Sequence, residues 1–151
     1  MVTMPLSLTG RALRLLSARE HSRSELERRL AQFEEEPGAL AQVLDTLQAK
    51  GFISEQRVVE SVVNRRSAKL GTARIRQELQ AKGLAPEVVQ DAVAQLRTTE
   101  VERAREVWRK KFGASPADAS ERGRQMRFLA SRGFGGDAIR RVVVGAMDEE
   151  Q

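Results

Sequence analysis

The stretch "LQAKGLAPEVVQDAV" at residues 79–93 returns as "LASRGFGGDAIRRVV" at residues 129–143, and this recurrence limits the possible folds more than any other feature. Each copy carries a leucine, a basic residue, a glycine, an apolar residue, an acidic residue and then an apolar helix face. A gapless shift of 50 residues carries Leu79 onto Leu129, Gly83 onto Gly133, Val89 onto Ile139 and Val93 onto Val143. A shift of 49 the other way carries Ile75 onto Leu26, Leu79 onto Leu30, Pro86 onto Pro37, Val89 onto Leu40 and Leu96 onto Leu47. The chain therefore holds three copies of one unit. The first is the most divergent, with Glu34 where the others have glycine.

Within each copy the apolar positions fall at helical spacing. Leu40, Val43, Leu44 and Leu47 form one set, and Val89, Ala92, Val93 and Leu96 another; this i, i+3, i+4, i+7 pattern marks an amphipathic helix. Gly83 and Gly133 stand where a helix should stop, behind Lys82 and Arg132, which suit the negative end of a helix dipole. Pro86 and Pro37 are expected at the first position of the next helix, where a missing N–H costs nothing. A further helix precedes each pair. In the first copy it covers about residues 10–19. In the second, Ser54 is expected to cap a helix bearing Val58, Val59, Val62 and Val63. In the third, Thr99 and Glu102 suggest a capping box ahead of Val101, Ala104, Val107, Trp108 and Phe112.

The spacing predicts an all-α chain of three tandem three-helix repeats, over residues 8–52, 53–97 and 98–148. A unit this small is marginal alone, and units stacked in a row bury what each leaves exposed. The expected shape is an elongated, slightly curved array. Composition agrees: only 4% of residues are aromatic, and 40% are hydrophobic, so the cores must be aliphatic. There is no cysteine, which excludes disulfides and thiolate metal sites. "MVTMPLSLTG" lacks the charged start and apolar run of a signal peptide, and no stretch approaches the ~20 apolar residues of a membrane span. A cytoplasmic monomer is the expectation.

Reactive centres are hard to find. The single histidine, His21, lies near a turn and reads as a surface or capping residue. Glu34, Glu35 and Glu36 read as a solvated helix end rather than a hard-cation site. Neither phosphate-loop pattern occurs. "GFGG" at 133–136 reads as a turn between helices. No catalytic residue, cofactor or metal is expected, and we read the chain as no enzyme. Trp108 and Phe112 share one helix face and read as the core of unit three, with a partner anchor as the alternative.

"LGTARIRQELQAKGLAPEVVQDAV" in unit two, and "AREVWRKKFG" followed by "FLASRGFGGDAIRRVV" in unit three, resemble the RecX family of regulatory proteins in order and spacing. The likeness extends over about residues 10–147. One position departs from the family pattern: Leu70 precedes Gly71, where many members carry an aromatic. The resemblance implies three tandem three-helix repeats. It also implies a protein that binds the RecA recombinase and modulates, mainly by inhibition, its filament on single-stranded DNA, damping strand exchange, ATP hydrolysis and coprotease activity in the SOS response.

Charge marks the surface that would do this. Net charge is +5, with basic residues gathered at the junction of the first and second helices in units two and three. Arg65, Arg66 and Lys69 face Arg74 and Arg76 across one junction. Arg109, Lys110 and Lys111 precede Arg122, Arg124 and Arg127 across the other. These eleven residues are the candidate partner-binding set, for acidic protein patches, the DNA within a filament, or both. The rival reading is a helical-repeat protein that binds DNA directly, single- or double-stranded. Sequence-specific reading by third helices is disfavoured, because that of unit two exposes Glu87, Gln90, Asp91 and Gln95, which would repel phosphates.

Overall fold

The computed structural model describes residues 5–149, and every regular element among them is a helix. Unit one comprises α1 (Leu8–Ala18), α2 (Arg23–Leu30), extended by a 3-10 turn at Ala31–Phe33, and α3 (Ala39–Ala49). Unit two comprises α4 (Glu55–Arg66), α5 (Thr72–Ala81) and α6 (Pro86–Thr98). Unit three comprises α7 (Glu100–Lys111), α8 (Ala119–Ser131) and α9 (Gly136–Glu149).

Each unit closes its own core. Leu26, Leu30 and Leu44 centre the first, Val58, Val62, Ile75 and Leu79 the second, and Trp108, Leu129, Ile139 and Val143 the third. The Trp108 indole N–H donates to Gln125 Oε1 at 2.8 Å, and Gln125 Nε2 donates to Ala114 O at 3.1 Å. The tryptophan is thus a satisfied core residue. With three small cores in a row, the chain exposes 9691 Å². A compact protein of 16.8 kDa would expose about 7,600 Å², so the array is elongated.

The recurring glycines serve the joints between units. The turn after α5 receives the start of α2: the Ser22 hydroxyl donates to Lys82 O at 2.6 Å, and Lys82 Nζ lies 3.4 Å from Glu25 Oε1. The turn after α8 receives the start of α5 in the same way. Gly71 N–H donates to Arg132 O at 2.8 Å, and Ala73 N–H to Gly133 O at 3.2 Å. Helices α8, α5 and α2 therefore meet end to end, the N–H-rich start of one against the carbonyl-rich end of the next. Each contact satisfies otherwise unpaired end groups and aligns the helix dipoles favourably. Gly83 and Gly133 adopt φ of +70° and +93°, a left-handed turn that glycine alone makes without strain. Close approach is the second demand: a Cβ on Gly133 would lie 2.3 Å from Arg74 Cγ, and one on Gly83 would lie 2.4 Å from Ser24 Oγ. Gly145, inside α9, has nothing within 4 Å of such a Cβ. Gly145→Ala should therefore stabilise the chain by about 0.5–1 kcal/mol in thermal melts.

The joint between units one and two is also ionic. Glu25 is buried and accepts from Ser22 N–H at 3.0 Å and from Arg19 Nη2 at 2.9 Å. Burial alone would raise its pKa. The Ser22 N–H, Arg19 and Lys82 outweigh burial and hold it at about 2. Ser22 and Glu25 form a complete capping box. Across the next joint, Arg103 spans the gap, donating to Leu70 O at 2.6 Å and to Ser67 O, Leu96 O and Thr72 Oγ1, each at 3.1 Å.

Several sequence expectations need correction. Pro37 lies in the turn before α3 instead of at its first position. Gly38, with φ +87°, must carry the chain into the helix, a conformation proline cannot adopt. Glu34 is more than a solvated end, because its Oε2 accepts from Leu40 N–H at 2.8 Å and caps α3. Thr99 forms no capping box. Its backbone (φ −113°, ψ 3°) is not extended as an N-cap requires, and α6 runs into α7 through that one residue. His21 is buried, 2% exposed, with Nδ1 3.0 Å from Arg19 O, because its turn closes over the buried start of α2. Ser54 caps α4 and Pro86 opens α6, as read from the sequence.

Candidate partner-binding surface

The basic residues are exposed, and the joint between units two and three arranges them. Lys69 follows α4, and Arg66 ends it. Arg74 rises from the first turn of α5, and Arg132 follows α8. These four cations, with Leu70, Gln77 and a single carboxylate, Glu78, line a cleft of about 490 Å³. Glu78 is tied down: Arg66 Nε donates to its Oε1 at 3.0 Å, and Arg65 Nη2 lies 3.5 Å from its Oε2. Arg74 has a positioning role as well. Its Nη1 donates to Ser131 O at 2.8 Å, capping the end of α8. Lys69 and Arg132 belong to no ion pair among the described residues, so their charge is available.

Arg132 also connects the cleft to the basic residues of unit three. Its guanidinium lies 4.9 Å from the centre of the Phe128 ring, and Lys111 Nζ lies 5.3 Å from the same ring. Phe128 meets Phe112 edge to face at 5.5 Å, and Arg124 stands 5.6 Å from Phe112. Two half-buried rings thus hold three cations in place through cation–π contacts. The resulting strip runs from Lys69 through Arg132 to Lys111 and Arg124. Arg124 is paired with Glu121 at 3.2 Å, and Arg109 with Glu106 at 2.8 Å, each within its own helix. Lys110, Arg122 and Arg127 are exposed nearby on the same two helices.

One candidate falls outside this strip. Arg76, two residues beyond Arg74 on α5, lines a separate groove between α5 and α6. It is close to Arg74 in sequence, but helical geometry places it about 200° around the axis from Arg74. Arg132 and Phe128 were not in the candidate set, although Arg132 lies beside the recurring glycine. Only the fold carries it to Arg66 and Lys69.

Comparison with known proteins bears on what such a surface serves. Residues 10–47, 54–93 and 98–143 match family models described as the first, second and third three-helix domains of RecX. The chain belongs to the RecX family. Among its relatives, the regulatory protein RecX of Leptothrix cholodnii is 58% identical over 138 residues, covering 91% of this chain and 88% of its own. That of Herminiimonas arsenicoxydans is 47% identical over 150 residues, 99% of each chain. The fold matches the crystal structure of RecX from Lactobacillus salivarius with a TM-score of 0.77 at 19% identity, over 93% of this chain and 94% of the other. The all-α architecture of three tandem three-helix repeats read from the sequence is therefore the architecture of the family. Among the described residues no helix is long and apolar enough to cross a membrane.

Proposed function

We propose that this chain binds the filament of the RecA recombinase on single-stranded DNA and restrains strand exchange, ATP hydrolysis and coprotease activity. Membership of the RecX family of regulators carries this reading. The basic strip across units two and three supports it. Two units joined rigidly through Arg103 and the Gly71–Arg132 contact present cations at fixed separation. Several weak contacts on a stiff array gain avidity when their spacing matches a repeating target. Such a surface meets acidic protein patches and phosphates together.

Direct, sequence-specific DNA reading is the weaker alternative. The third helices would have to enter a groove, yet α6 exposes Glu87 and Asp91, and Arg141 of α9 is paired with Asp137 at 3.2 Å. Binding to bare single-stranded DNA and to the recombinase filament at equal salt separates the two readings. The filament should be bound much more tightly. Equal binding with a steep salt slope would favour the plain nucleic-acid binder.

Changing Lys69, Lys111 and Arg132 together to glutamate should leave the helical content intact, since none of them is in an ion pair among the described residues. The same change should weaken filament binding by on the order of a hundredfold at low salt. Unchanged binding would remove the strip from the interface.

A further inference from the structure

The groove between α5 and α6 has about 440 Å³ of space. Leu84, Val89 and Val93 form its floor, and Arg76, midway along α5, and Arg97, in the last turn of α6, both line it. Neither arginine has an ion-pair or hydrogen-bond partner among the described residues, and no carboxylate lines the groove. Its counterpart in unit one shows what such a groove accommodates. By the 49-residue register, Arg76, Gln90, Ala94 and Arg97 correspond to Glu27, Ala41, Asp45 and Gln48. In unit one those four positions all hold one side chain, Arg23. Its Nε donates to Glu27 Oε1 at 3.1 Å. Its Nη1 lies 2.6 Å from Asp45 Oδ1 and donates to Gln48 Oε1 at 3.0 Å, and its Nη2 donates to Ala41 O at 3.4 Å. Unit one thus fills the site from within, a cation between carboxylates.

Unit two inverts the charges and supplies no side chain equivalent to Arg23. Thr72 replaces Arg23, two arginines replace Glu27 and Gln48, and Ala94 replaces Asp45. In unit three the equivalents of the arginines are Met126 and Met147, so the charged groove is a property of unit two. We propose that this groove docks an acidic segment of a partner protein, with a side-chain carboxylate between Arg76 and Arg97 and an apolar side chain on the floor. The apolar floor and the pairing of only two cations favour a peptide over a nucleic-acid strand, whose regular phosphates call for a longer basic track. The site is distinct from the basic strip, and its occupant need not be the recombinase.

The test uses the full chain and a short fluorescein-labelled peptide repeating Glu-Glu-Leu-Leu, with a Gln-Gln-Leu-Leu counterpart. Anisotropy should show binding of the first and little of the second. Arg76→Glu with Arg97→Glu should weaken binding by on the order of tenfold or more, while the Lys69, Lys111 and Arg132 triple variant should weaken it far less at physiological salt, where distant charges are screened. Amide shifts at Leu84, Val89 and Gln90 should move on titration. Arg76→Gln with Arg97→Gln, which removes the charges without reversing them, guards against a folding defect. Equal binding of both peptides, or affinity indifferent to both groove variants, would overturn the proposal. So would oligothymidylate displacing the peptide from those residues.

Discussion

Gly71→Ala is expected to destabilise the chain by about 2–6 kcal/mol and to uncouple unit three from unit two. Gly71 has φ −78°, so alanine fits its backbone, and the cost is steric. A Cβ there would lie 2.3 Å from the Gly133 carbonyl carbon and 2.3 Å from Phe134 N. Those are backbone atoms, which cannot swing aside. The two backbone segments must separate, losing the Gly71 N–Arg132 O and Ala73 N–Gly133 O hydrogen bonds. Overpacking contributes roughly 1–3 kcal/mol, and each lost hydrogen bond about 0.5–1.5 kcal/mol. Trp108 is the only tryptophan and sits in the core of unit three, so its fluorescence reports that unit while circular dichroism reports all three. The two transitions should coincide in the parent and separate in the variant. Coincident transitions with an unchanged midpoint would refute the joint's role.

Glu25→Gln should cost on the order of 2–3 kcal/mol at neutral pH, and that cost should disappear in acid. The carboxyl is held at about 2, against an ordinary 4.5. Between those values the unfolded chain binds a proton that the folded one does not. The stabilisation is therefore complete above about pH 4.5 and is lost as pH falls toward 2. One pKa unit is worth about 1.4 kcal/mol, and the exposure of Arg19, 45%, moderates the total through solvent screening. His21 acts in an earlier window. Burial lowers its pKa below the ordinary 6.5, so the unfolded chain again binds more protons and stability begins to fall below about pH 6.5. Glu25→Gln retains that first decline and lacks the second. Urea unfolding at a series of pH values reads both. A difference between parent and variant that stays constant down to pH 2 would contradict the ion-pair network.

The units and their helix pairs were legible because they are written in local periodicity. Val89, Ala92, Val93 and Leu96 declare a helix face without reference to anything distant, and Gly83 and Gly133 declare its stops. The reason for those stops was not legible. Gly133 needs space for Arg74, and Gly83 for Ser24, residues more than fifty positions away in sequence. The same limit explains the surface. Runs of arginine and lysine were visible, but helical rotation separates Arg76 from Arg74, while the joint brings Arg132 to Lys69. Thr99 and Pro37 failed for a different reason. Their residue types suit helix starts, and the backbone at these joints follows the packing of whole units instead.

We propose that this array restrains the recombinase on its DNA track. ATP hydrolysis by preformed filaments of the cognate recombinase on single-stranded DNA tests it most directly, with and without the folded protein. The rate should fall progressively as protein is added, and the Lys69, Lys111 and Arg132 triple variant should lose most of that effect. A hydrolysis rate indifferent to the protein at saturation would overturn that proposal.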